Sequence, residues 1–120
     1  MLLTLAAGAH AQEWAAPESI PGVTRVDAEG LLALVEKTPP PVIVDSRIAM
    51  DRKQGYIEGS SSLPDTDTNC ASLARIIPSL GRPVLFYCNG VKCGRSGVAA
   101  GIARRCGYTR LYWYRGGFED

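Results

Sequence analysis

An α/β fold, a parallel sheet covered on both faces by helices, is what this sequence predicts, on three observations. Val42–Val44 and Val84–Tyr87 are short, unbroken apolar runs rich in β-branched and aromatic residues, the pattern of strands buried on both sides. Between and after them, apolar residues recur at helical spacing. Glycine and proline fall at the joints between the two kinds of segment. Buried strands alternating with helices pack as such a sheet.

The elements follow in order. Met1–Ala11 (MLLTLAAGAHA) is a short apolar run ending in small residues, and it reads as a signal peptide cleaved after Ala9-His10-Ala11; the bland alternative is an ordinary apolar N-terminus. Its usual basic start is missing, so the true start is expected upstream. It is too short to span a bilayer, which takes about 20 apolar residues. Residues 12–22 form a lead-in segment, and the folded domain is expected over 23–120, exported to the periplasm or a comparable compartment; a cytoplasmic location is the alternative.

Asp27 caps a helix expected to run to about Glu36, with Ala28, Leu31, Leu32 and Val35 facing the core. Thr38-Pro39-Pro40-Pro41 stops it, and the strand Val42–Val44 ends at Asp45-Ser46-Arg47. A polar stretch and the turns at Gly55 and Gly59 lead to a brief strand end at Ser62-Leu63-Pro64. Leu73, Ile76, Ile77 and Leu80 keep helical spacing up to a limit at Pro78. After Gly81-Arg82-Pro83 comes the strand Val84–Tyr87, with Cys88 at its end. Residues 89–94 form a loop. A helix then runs from Arg95 or Ser96 to Cys106 through Val98, Ala99, Ile102 and Ala103, stopped by Gly107. Leu111–Tyr114 is the last strand.

Composition excludes several chemistries. Lys and Arg total 13 against 12 acidic residues, a formal charge of +1, so no nucleic-acid or anionic-membrane partner is expected. The only histidine, His10, lies in the signal segment. The mature chain therefore has no Cys-His or Ser-His-Asp machinery and no histidine-ligated zinc. Cys70, Cys88, Cys93 and Cys106 do not form the two close pairs of an all-cysteine zinc site, and no metal is expected. Cys70 and Cys106 are expected to be packing residues.

The candidate site is Cys88 with Asn89, Gly90, Val91, Lys92, Cys93, Gly94, Arg95 and Ser96. In a parallel sheet, ligands bind beyond the carboxyl ends of the strands; Cys88 lies at one such end and Asp45 at another. Glycines allow successive amides to turn inward as an anion-binding nest. The following helix adds positive potential at its N-terminus, and Lys92 and Arg95 add two cations. These features favour a thiolate at Cys88; an inert buried cysteine is the bland alternative. Asp45 and Arg47 are expected to organise the strand end, and Tyr112, Trp113 and Tyr114 to form core and groove wall.

From about Val23 to Asp120 the chain resembles the rhodanese-like domain. Val42–Arg47 looks like the family's strand ending in Asp-x-Arg, and Gly55–Ser60 like its G-H-I-x-G-A segment, with Tyr56 where histidine is usual. Leu63-Pro64, Val84–Cys88, Arg95-Ser96 with Ala99-Ala100, and Gly107-Tyr108 with Gly116-Gly117-Phe118 follow in the same order. The resemblance implies a doubly wound fold around a five-stranded parallel sheet. It implies a sulfurtransferase that accepts the outer sulfur of a thiosulfate-like anion as a Cys88 persulfide and gives it to cyanide, a thiol or a partner sulfur-carrier protein. The loop amides of Asn89 to Arg95 would stabilise the persulfide and Arg95 would orient the donor. No cofactor is implied, and a monomer is expected. The family pattern continues through one more short helix, so the sequence reads as a fragment at both ends.

The loop departs from the family. Sulfurtransferases of this type have Cys-x4-Arg-Ser and their phosphatase relatives Cys-x5-Arg, whereas this chain has Cys88-x6-Arg95-Ser96. The added stretch holds Cys93, which either resolves a persulfide or sulfenate on Cys88 as a disulfide or has no role. Three rivals stand beside sulfur transfer: a thiol–disulfide redox protein using Cys88 and Cys93, a non-catalytic carrier or interaction module, and, more weakly, a phosphatase or arsenate reductase.

Overall fold

The computed structural model describes residues 16–120, so the signal-peptide expectation for Met1–Ala11 lies outside the described residues. Five strands, β1 (Thr24–Val26), β2 (Val42–Asp45), β3 (Ser61–Ser62), β4 (Val84–Tyr87) and β5 (Leu111–Tyr114), form one sheet in the order β1-β5-β4-β2-β3. Every pairing is parallel. The helices are α1 (Ala28–Val35), α2 (Cys70–Ile76) and α3 (Arg95–Arg105), and short 3-10 turns span Ala49–Gln54 and Asp65–Asp67.

Alternate residues of the central strands face opposite sides, and each side has its own core. Ile43, Leu85, Tyr87 and Tyr114 pack with Leu31 and Leu34 of α1. Val44, Val84, Phe86 and Leu111 pack with Leu73 and Ile77 from the α2 region and with Ala99, Ala100 and Ala103 of α3. The small buried residues Ala99, Ala100 and Ala103 let α3 lie close against the sheet.

Local signals set the boundaries. The Asp27 carboxylate accepts from the Gly30 amide at 2.8 Å and caps α1. Asn69 and Ser72 form a reciprocal capping box at the start of α2. Three expectations need correction. Leu34, not Leu32 or Val35, joins Leu31 in the core, and Leu32 is 62% exposed. Ile76, Leu80 and Val98 are likewise exposed. Cys70 and Cys106 are not simple packing residues: they form a disulfide, with Cα atoms 5.5 Å apart, that ties the first residue of α2 to the end of α3.

The lead-in also belongs partly to the fold. Ala16 is buried, its amide donates to the Val91 carbonyl at 3.0 Å, and Arg115 donates to the Pro17 carbonyl at 2.7 Å and the Ala16 carbonyl at 3.1 Å.

Candidate active site

The chain leaves β2 toward β3 on one side and β4 toward β5 on the other. The carboxyl ends of β2 and β4 therefore flank a topological switch point, where an open parallel sheet offers a crevice. Cys88 follows β4 and Asp45 ends β2, so the sheet brings these two sequence-predicted positions to one edge.

At the β2 end, Asp45 is wholly buried and Arg47 is 2% exposed. The carboxylate accepts from Arg47 Nε at 2.9 Å and Nη2 at 2.8 Å, a bidentate pair, and from the Arg47 amide at 3.0 Å. It also accepts from Arg52 Nη1 at 2.9 Å and the Tyr87 hydroxyl at 3.0 Å. Burial pushes the Asp45 carboxyl up, but the hydrogen bonds from the Arg47 side chain, the Arg47 amide and Tyr87 outweigh it and leave the group below its ordinary value. Burial pushes the Tyr87 phenol up, so it stays a neutral donor. Arg47 reaches on to the Asn89 side-chain oxygen at 3.3 Å, and Asn89 donates to Asp51 at 3.1 Å. The β2 end thus holds the first residue of the cysteine loop. Arg52, Asp51 and Tyr87 were not singled out from sequence; their polar stretch carries no period, and only the fold brings them to Asp45 and Asn89.

At the β4 end, Cys88 is 2% exposed and is disulfide-bonded to Cys93, with Cα atoms 6.1 Å apart. The two cysteines that bracket the added stretch are thus joined to each other. The loop is not the glycine nest expected. Neither Gly90 nor Gly94 has positive φ, and the Cys93 amide is used up in a turn, donating to the Gly90 carbonyl at 2.9 Å. A Cβ at position 90 would lie 2.7 Å from the Glu119 carboxylate, so a larger residue there would displace that side chain.

Helix α3 begins directly after the loop, with Gly94 at its N-cap and no side-chain cap, so its first amides stay available at the loop. Ser96 is buried and its hydroxyl accepts from the Trp113 indole at 2.8 Å, a positioning role. Arg95 is paired with Asp65 at 2.6 Å.

Two hollows share Asn89 and Glu119. One of about 220 Å³ is lined by Gly90, Lys92 and Cys93 as well, and one of about 240 Å³ by Arg47, Asp51, Gln54 and Phe118. Arg95 lines neither of these two, whereas Lys92 lines the smaller. A third hollow, about 390 Å³, reaches the loop at Val91 and sits mainly between Arg25–Asp27 and Gly116/Asp120. The C-terminal turn closes over the site: the Phe118 amide donates to the Cys88 carbonyl at 2.9 Å and the Glu119 amide to the Asn89 carbonyl at 2.8 Å.

The model of the rhodanese-like domain family matches residues 27–120. The chain belongs to the rhodanese-like family. Solved structures agree on the fold of this rhodanese-like domain. The human single-domain sulfurtransferase TSTD1 is 21% identical, with a TM-score of 0.61 over 80% of this chain and 92% of its own. The BH2092 protein from Bacillus halodurans is 23% identical, with a TM-score of 0.67 over 78% of this chain and 67% of its own. A thiosulfate sulfurtransferase from Pseudomonas aeruginosa is 22% identical, with a TM-score of 0.62 over 80% of this chain but only 18% of its own. Among curated proteins, none matches the chain. The rhodanese-like domain is thus a member of a sulfur-transfer family with a doubly wound, five-stranded parallel sheet.

Proposed function

We propose that this domain is a sulfurtransferase that carries sulfane sulfur as a persulfide on Cys88. The observation that carries this is the placement of Cys88: buried, at the end of the central strand, and joined by a short loop to the uncapped start of α3. A sulfur anion held there meets helix amides and a positive helix end. Reduction of the Cys88–Cys93 bond comes first, since only the thiolate attacks a donor. Lys92, at the cleft beside Cys93, would draw in an anion such as thiosulfate. The acceptor would be cyanide, a small thiol or a carrier protein.

The test is the intact mass of the reduced domain after thiosulfate. A one-sulfur gain in wild type or Cys93→Ser that is absent in Cys88→Ser is the expected result. No gain in any variant, with any sulfane-sulfur donor, would sink sulfur transfer. Plain thiol–disulfide exchange is the second reading, favoured by the Cys88–Cys93 bond. It requires a pair that cycles with dithiols while donors leave no sulfur behind. Two disulfides also favour an exported protein; cell fractionation of the full-length chain tests this.

A further inference from the structure

We propose that Cys93 discharges the Cys88 persulfide as sulfide, so that this domain reduces sulfane sulfur instead of only passing it on. The proposal rests on Cys88 being the sulfur acceptor and adds the fate of the sulfur. Cys93 Sγ reaches Cys88 Sγ, since the two are bonded. The loop fixes this approach at several points: the Cys93 amide on the Gly90 carbonyl, the Ala16 amide on the Val91 carbonyl, and Asn89 held by Arg47 and Asp51. Cys88 is buried, whereas Cys93 is partly exposed and lines a cleft. An outside thiol must enter to reach the sulfur on Cys88; Cys93 is already there, at the high effective concentration of an intramolecular group. Neither other cysteine competes. Cys70 and Cys106 are bonded to each other at the far end of α3, about 16 Å of helix away at 1.5 Å per residue.

The steps balance. The Cys88 thiolate attacks the outer sulfur of thiosulfate. The sulfur–sulfur bond of the donor breaks, and sulfite leaves with the electron pair. The Cys93 thiol then gives its proton to the outer persulfide sulfur, and its sulfur attacks Cys88 Sγ. The Cys88–sulfur bond breaks and hydrosulfide leaves with the electron pair. Two protein thiols have been oxidised to the Cys88–Cys93 disulfide, and one sulfane sulfur has been reduced to sulfide. A dithiol reductant, small or protein-borne, restores the thiols and closes the cycle.

The test is a single turnover of reduced domain, freed of reductant and mixed with thiosulfate, with sulfide, sulfite and intact mass measured together and the disulfide located by peptide mapping. Wild type should release one sulfide per chain and end with Cys88 bonded to Cys93. Cys93→Ser and Cys93→Ala should release sulfite but no sulfide, and keep the extra sulfur on Cys88. The Cys70→Ser/Cys106→Ser double variant should release sulfide as wild type does. A wild type that retains the extra sulfur and releases no sulfide, as the Cys93 variants do, would overturn the proposal and leave persulfide formation standing. Absence of sulfur uptake in both Cys93 variants would instead remove the underlying sulfurtransferase reading, and this proposal with it.

Discussion

Asp45 faces two guanidinium groups, Arg47 and Arg52, at 2.8 and 2.9 Å, and its removal would leave a buried charge uncompensated. Asp45→Asn should cost about 3–5 kcal/mol in denaturant unfolding, the usual cost of breaking a buried pair by one partner. The same carboxylate sets a pH dependence. Its folded pKa is lowered, so its stabilisation is complete above the unfolded value of about 4 and is lost as pH falls through the lowered folded value. Wild-type unfolding midpoints should therefore drop below about pH 4, and Asp45→Asn should lack that part of the slope. Gly117 is the second sensitive residue. Its φ is +67°, and a Cβ there would lie 2.5 Å from the Cys88 carbonyl oxygen and 2.7 Å from the Asn89 carbonyl carbon. Gly117→Ala should cost about 1–3 kcal/mol from backbone strain alone, and should slow the proposed sulfur uptake at Cys88 because it presses on the end of β4. At Lys92, charge reversal to Glu should raise the thiosulfate KM at low salt, with the effect fading as salt screens it.

The elements were largely legible because their signals are local. Asp27 caps α1 and Gly107 ends α3, as the sequence indicated, and the apolar runs mark β2, β4 and β5. Burial within the short helices was not legible. Helix α1 has eight residues with apolar side chains all round, and only its packing against Ile43, Leu85 and Tyr87 selects Leu31 and Leu34. Strand β1, Thr-Arg-Val at the sheet edge with Thr24 and Arg25 exposed and only Val26 half-buried, has no apolar run to announce it. The Cys70–Cys106 bond escaped for a similar reason: its partners are 36 residues apart, and spacing does not determine disulfide geometry. That bond spans the α2–β4–α3 unit. Replacing both cysteines by serine should cost about 3–4 kcal/mol by loop-closure entropy, read as a lower denaturation midpoint. Of the site, the placement of Cys88 and Asp45 at strand ends could be read from sequence; the Asp45–Arg47 ion pair and the partner of Cys93 could not, since spacing does not determine side-chain geometry. The clasp by Glu119 and Phe118 could not, because residues 30 apart meet only through the sheet.

For the molecule as a whole, the parallel sheet gathers the β2 end, the cysteine loop, the C-terminal turn and residues 16–18 at neighbouring positions. Arg115 joins two of these, reaching from the end of β5 to the Ala16 and Pro17 carbonyls. Arg115→Ala should lower stability by about 1–2 kcal/mol, the worth of charge-assisted hydrogen bonds, and should speed amide exchange across 89–94. Unchanged exchange there would mean that residues 16–18 do not brace the loop. The Ala16 amide is tied to the Val91 carbonyl inside the cysteine loop. Ala16 itself therefore lies beside that loop. A label or surface attachment made directly at Ala16 would sit beside the loop as well, and one made at a residue remote from it would leave the loop open.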